Sequence, residues 1–297
     1  MPTESRHGPG YWSMAATFCT IWALGFPISK LIIAICPPET FLGIRFLCSG
    51  TILLCWAFWR GYLTAAVPWW SLVSLGLVNF GLSNGFAWGG MATVSAGTAT
   101  IILSASPVLV GIAGALALAD RLSPLRALGL ALGLGGVAFV VRNRIVLGGE
   151  DSLGTVLVVG SLLCQTAGTV LYKRWSPRLP LTVLVGVQQF AAGGALLLFG
   201  LLVEDTSHIG FSRTFWLGLA YMAILNSIVS FQLWFFMLAR GSATSVASLQ
   251  FVMPPLGLLF SWAILGETVS IYDAIGIIPI ALGIWLTTRV ARVATET

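Results

Sequence analysis

The sequence predicts an all-α integral membrane protein whose ten transmembrane helices form two inverted five-helix repeats. Three observations carry that prediction. Of 297 residues, 57% are hydrophobic and only 8% charged, whereas a soluble domain carries about 25% charged residues. The apolar residues fall into blocks of roughly twenty, enough at about 1.5 Å per residue to cross a hydrocarbon layer of about 30 Å. Finally, the second half of the chain repeats the first after an odd number of blocks.

Spans are expected near 12–35, 38–59, 69–90, 94–118, 123–142, 154–173, 181–203, 214–238, 242–265 and 271–290. The first block is much longer than the roughly 7–15 apolar residues of a signal peptide and reads as an uncleaved span. Residues 1–11 and 291–297 then form cytoplasmic tails, 12–142 and 154–290 the two repeats, and 143–153 an external linker. With the N-terminus inside, ten of the fifteen basic residues lie in cytoplasmic segments, and Arg142, Arg144 and Arg213 lie outside. That bias orients the chain with both termini in the cytoplasm. Trp12, Trp56, Trp59, Trp69, Trp70, Trp175 and Trp285 cluster near inner ends, where an indole anchors at the headgroup level.

The net charge of +5 carries no basic stripe, so topology accounts for it and no nucleic-acid partner is expected. Five cysteines, most of them inside apolar blocks, suggest small packing residues and neither a disulfide framework nor a metal cluster. Both histidines lie outside the spans, and no paired carboxylates fall within them, which disfavours an enzyme. No cofactor is expected.

Shifted by 147 residues, 79–142 aligns without gaps on 226–289. Asn79 meets Asn226, Ser83 meets Ser230, Pro107 meets Pro254, Asp120 meets Glu267 and Arg142 meets Arg289. Five spans per repeat force the second copy into the membrane upside down. Such symmetry lets two halves exchange packing arrangements and expose one central site to each side in turn.

The duplicated mid-span proline, the span ending in Gly266-Glu267 and the glycine-rich stretch 274–283 resemble the drug/metabolite transporter superfamily, of the ten-helix EamA type. Asp120 departs from the Glu of that pattern. The resemblance covers nearly the whole chain. It extends to bacterial exporters of aromatic and other neutral amino acids, which implies a multi-pass protein of the bacterial inner membrane. The implied activity is secondary transport of a small neutral or zwitterionic metabolite. A sugar-phosphate or nucleotide-sugar exchanger of the same superfamily, an importer, or a channel are the rivals.

Polar side chains deep in apolar spans should face the interior. The candidates for the substrate site are Asn79, Ser83 and Asn84 in span three, Gln165 and Thr169 in span six, Asn226 and Ser230 in span eight, and Ser248 and Gln250 in span nine. Asn79 with Ser83, and Asn226 with Ser230, stand four apart and share a helix face. The alternative is that these groups bond helix to helix. Trp22, with Phe80, is expected either as an apolar wall of the cavity or against lipid.

Pro107 and Pro254 lie near the midplane of spans four and nine, as hinges beside the cavity or as passive kinks. Lys30 is near enough to an end to snorkel. Arg45 lies about 10 Å deep and needs a partner. Glu39, Glu267 or Asp273 could pair with it as an external gate, or it could meet a substrate carboxylate. No Asp, Glu or His lies in mid-span, which argues against a carboxylate proton relay and against cationic substrates.

Overall fold

The computed structural model describes residues 9–63, 67–117, 124–146, 150–175, 179–240, 249 and 252–293. Among these there is no strand, as lipid requires of a chain that must satisfy every backbone N–H and C=O within its own segments. The helices are α1 (Pro9–Ile33), α2 (Pro38–Trp59), α3 (Trp69–Gly76), α4 (Ser83–Met91), α5 (Ala96–Leu103), α6 (Ser106–Ala117), α7 (Pro124–Val146), α8 (Ser152–Trp175), α9 (Leu181–Val203), α10 (Arg213–Ala220), α11 (Ser230–Arg240), α12 (Met253–Leu265) and α13 (Ile271–Val293). A π-helical stretch, Leu77–Leu82, joins α3 to α4, and a second, Tyr221–Val229, joins α10 to α11. Among the described residues, six stretches are long and apolar enough by themselves to cross a membrane: Tyr11–Ile33, Pro38–Trp59, Ala96–Ala113, Ser152–Tyr172, Leu181–Val203 and Arg213–Met237. The others are composite or shorter. The fold is an all-α membrane protein of ten spans in two inverted five-helix repeats.

Inversion is visible in how repeat mates pack. Helix α2 lies antiparallel on α9: the Cβ absent from Gly43 would sit 2.5 Å from Leu197 Cα, and that absent from Gly50 2.6 Å from Phe190 N. The reciprocal contacts put Gly186 against Leu54 and Gly193 against Leu47. Helices α7 and α13 repeat the arrangement, Gly136 against Ile280 and Gly283 against Gly129 and Gly133. Lipid tails supply no hydrophobic drive between helices, so close backbone approach through small residues holds such pairs together.

Helix ends are closed by groups from the opposite half. Glu204 accepts the backbone N–H of Glu39 (2.9 Å) and of Thr40 (2.8 Å) at the start of α2. Glu267 accepts those of Ala96 (2.9 Å) and Gly97 (3.0 Å) at the start of α5. Gly266 makes this possible: at φ +67 it takes a left-handed conformation that other residues resist, ending α12 and turning the chain toward α5. The Gly-Glu pair is thus a helix stop followed by a cap for another helix.

The interior is aromatic. Phe41 stacks on Trp88 at 5.5 Å, Phe46 meets Phe80 edge-on at 5.6 Å, and Phe80 lies 4.5 Å from Phe231. A separate cluster of Ala15, Phe18, Cys19, Met237, Leu249 and Met253 fills the end of the bundle where α1 begins. Six of the seven tryptophans expected as interfacial anchors are exposed on the bundle surface, Trp70 to 87%; Trp175 is half-buried against the core.

Candidate functional site

A cavity of about 90 Å³ opens among α1, α2, α4, α5, α8, α11, α12 and the two π-helical stretches. That is several times the space one water needs. Six of the eleven residues expected at the substrate site line it: Trp22, Asn79, Ser83, Asn84, Gln165 and Asn226. Arg45 lines it too.

Its two central amides are repeat mates held in equivalent ways. Asn79 projects into the gap left by Gly168, where a Cβ would come within 2.6 Å of its Oδ1. Asn226 projects over Gly25, where a Cβ would come within 2.7 Å of its Nδ2, and donates to the Ile21 carbonyl at 3.3 Å. Ser83 lies 3.5 Å from Ser161 Oγ, tying α4 to α8 while both face the cavity. Gln165 leaves its Oε1 without a hydrogen-bond partner among the described residues.

Ser230 corrects the expected pattern. It is fully buried, off the cavity, and its Oγ has no partner among the described residues. A π-helical stretch runs ahead of it. An i→i+5 ladder adds a residue to the turn, so the residue brought to the wall after Asn226 is Phe231, five positions on. In the first repeat the same advance brings up Asn84 beside Ser83, which stays on the wall. The 147-residue shift lays Leu77–Leu82 inside Tyr221–Val229, so both halves carry the insertion.

Other expected wall residues stand elsewhere. Phe80 is fully buried behind Phe231 and supports the wall without forming it. Thr169 donates to the Gln165 carbonyl one turn back (2.9 Å) and does not line the cavity. Ser248 and Gln250 lie outside the described residues. Trp22 lines the cavity and meets Phe231 edge-on at 5.0 Å.

Neither proline is a mid-helix kink. Pro107 is the second residue of α6, after a break at Ser104 and Ala105, and Pro254 is the second residue of α12. Both occupy a first turn, where a missing N–H is tolerated. Pro107 still denies the Leu103 carbonyl its usual partner, and Leu103 lines the cavity.

The external gate expected between Arg45 and an acid is not formed among the described residues. Arg45 donates instead from Nε to Ser227 Oγ (2.8 Å) and from Nη2 to Asn226 Oδ1 (2.7 Å). Glu267 is engaged in capping α5, as above, and Asp273 accepts from the Ser270 backbone at 2.9 Å. The Glu39 carboxylate lies against Gly85 and Gly89, its Oε2 buried and unpartnered. Lys30 does not run out to solvent: it bonds the Met91 carbonyl and that of Val94 (2.8 Å), just past the end of α4, where a cation complements the helix dipole.

Sequence reasoning missed Ser29, Trp88, Thr100, Ser104, Ser161 and Phe231 on the wall. Trp88 sits near the end of a span, where an indole reads as an interfacial anchor. Ser104 flanks the break before Pro107, and that proline was its only signal.

The cavity lies between two inverted halves, lined by residues of both, and this architecture defines a membrane transporter. The EamA-like transporter family matches residues 11–142 and again 152–289, and the chain belongs to that family. It is 28% identical over 275 residues to YvbV of Bacillus subtilis, an uncharacterized transporter, covering 92% of this chain and 90% of that one. A probable amino-acid metabolite efflux pump of Salmonella typhimurium is 26% identical over 295 residues, covering 95% and 96%. The inner membrane transporter YedA of Escherichia coli is 24% identical over 272 residues, covering 88% and 86%. A crystal structure at 19% identity shares the fold with a TM-score of 0.72, over 94% of this chain and 96% of that one.

Proposed function

We propose that the chain is a secondary transporter that exports small neutral or zwitterionic metabolites, foremost amino acids with neutral or aromatic side chains, by alternating access. The observation that carries this reading is the pair Asn79 and Asn226, repeat mates that meet at one cavity between the inverted halves. Amide and hydroxyl groups from Asn84, Ser83, Ser161 and Gln165 suit polar solutes without net charge, and Trp22, Trp88 and Phe231 offer apolar surface to a side chain. The packed cluster around Cys19, whose Sγ donates to the Leu249 carbonyl at 3.3 Å, supports a carrier over an open pore. The Salmonella relative's name supports amino acids as the substrate class. Both termini are assigned to the cytoplasm on the distribution of basic residues.

Counterflow in liposomes tests this. Purified protein preloaded with an unlabelled amino acid should accumulate the labelled one transiently, and sugars, sugar phosphates and nucleotides should not. Accumulation of sugar phosphates alone would move the assignment to an exchanger. Flux beyond about 10⁶ solutes per second, faster than μs–ms conformational steps allow, would indicate a channel.

A further inference from the structure

We infer that Arg45 is the carboxylate anchor of the cavity, so that a solute is held only if it carries a carboxylate. The inference rests on the cavity being the substrate site proposed above, and it adds the group that the site selects.

Arg45 is 2% exposed and lines the cavity. A buried cation is ordinarily matched by an anion, because an unmatched charge in a low-dielectric interior is costly. Here both hydrogen-bond acceptors, Ser227 Oγ and Asn226 Oδ1, are neutral, and among the described residues no carboxylate pairs with the guanidinium. Glu204 and Glu267 are held by backbone N–H groups of α2 and α5, and Glu150 accepts from Ser95 N at 2.8 Å. Among the described residues no Asp or Glu lines the cavity. Its wall therefore carries one positive charge, and the buried carboxylate left unpartnered among the described residues, Glu39, lies against Gly85 and Gly89, off that wall and with no hydrogen bond to Arg45.

The guanidinium is also fixed in direction. Its central carbon lies 4.8 Å from the centre of the Phe46 ring and 5.8 Å from that of Trp88, and the bonds to Ser227 and Asn226 hold the Nε and Nη2 edge. Nη1 has no acceptor among the described residues. A planar fork with N–H bonds left over suits the two oxygens of a carboxylate, and the charge-assisted bonds so formed are the strong kind. Away from Arg45 the wall includes the side-chain amides and hydroxyls of Asn79, Ser83, Asn84 and Gln165, oxygen-bearing groups of the kind that accept from an ammonium on the same solute. A solute with an ammonium and no carboxylate would leave the Arg45 charge unmatched.

The test uses three matched solutes on purified full-length protein: L-phenylalanine, its decarboxylated counterpart phenylethylamine, and its deaminated counterpart 3-phenylpropionate, with the leucine and threonine trios run in parallel. Binding is read by titration calorimetry. Carboxylate-bearing members should bind the wild type at least about tenfold more tightly than the amines. Arg45→Gln should abolish that preference, and Arg45→Lys should keep part of it. Amines binding the wild type as well as the acids do would overturn the inference, with no reliance on a variant that folds. Preference retained in a folded Arg45→Gln protein would overturn it as well. If deaminated acids bind through Arg45 and amino acids do not, the anchor stands and the amino-acid reading falls. If no carboxylate of any trio binds, both fall.

Discussion

Gly25 lies beneath the amide of Asn226, so close that a Cβ on the glycine would sit 2.7 Å from Nδ2. Gly168 stands in the same relation to Asn79, at 2.6 Å from Oδ1. Each central amide is thus positioned by the absence of a side chain on the span facing it. Gly25→Ala and Gly168→Ala should each gain about 1 kcal/mol of helix propensity and lose about 1–3 kcal/mol to overpacking. The net effect on melting temperature should be small while the displaced amide cuts transport several-fold. Wild-type transport rates in both variants, at matched protein levels in liposomes, would show that the amides need not be held there.

The break between α5 and α6 gives Pro107 a role in the cavity wall. Alanine at 107 restores an N–H to the Leu103 carbonyl and lets the two segments join. Pro107→Ala should leave insertion and folding intact and slow transport several-fold, and Pro254→Ala at the start of α12 should slow it too. Equal counterflow rates in wild type and both variants would make these prolines passive.

Glu204 and Glu267 each close the N-terminus of a helix in the other half of the chain. Glu204→Ala and Glu267→Ala should each destabilise the protein by about 1–2 kcal/mol, the ordinary value of a cap. Solute affinity should hold, because neither residue lines the cavity. Melting curves in detergent, with calorimetric binding beside them, check both halves of that statement.

Cys19 is buried in the packed cluster at the end of the bundle where α1 begins. On the alternating-access reading proposed above, that end opens during transport, so a small thiol reagent should modify Cys19 faster during turnover than at rest. Mass spectrometry separates this site from Cys48 and Cys55, which are exposed on the bundle surface. Reactivity that stays the same with and without saturating solute would argue against opening at this end.

The topology has its own check. A cysteine introduced at Glu150 should react with an impermeant maleimide added to intact cells, and tags on either terminus should not be reached. Labelling at 150 only after permeabilisation would reverse the orientation.

Most of the fold was legible because its signals are additive: twenty-residue apolar blocks, basic residues between them and a gapless internal match. Arg45 was legible too, as a charge where none belongs. Its partners were not, since Glu267 is engaged by backbone N–H groups that only tertiary packing brings to it, and Glu39 lies against Gly85 and Gly89 without bonding Arg45. Ser230 failed for a different reason. Pairing it with Asn226 assumed a 3.6-residue turn, and the π-helical stretch Tyr221–Val229, which lies against α2 and α1, carries no residue type that announces it. Ser29 and Ser161 carry no local mark that distinguishes a cavity serine from one that bonds within its own helix.

The reciprocal seating of Gly43 under Leu197 and Gly186 near Leu54 has an implication for descent. The surface by which each half grips the other is, to a first approximation, the same surface turned over. A half-length chain bearing that face would find its complement in an identical molecule inserted the other way up, with no second gene needed. Fusion of two such chains would then fix their stoichiometry at one to one and free each copy to drift. The drift is visible where Asn84 on one wall faces the role of Phe231 on the other: one position, inherited twice, now polar in one half and aromatic in the other.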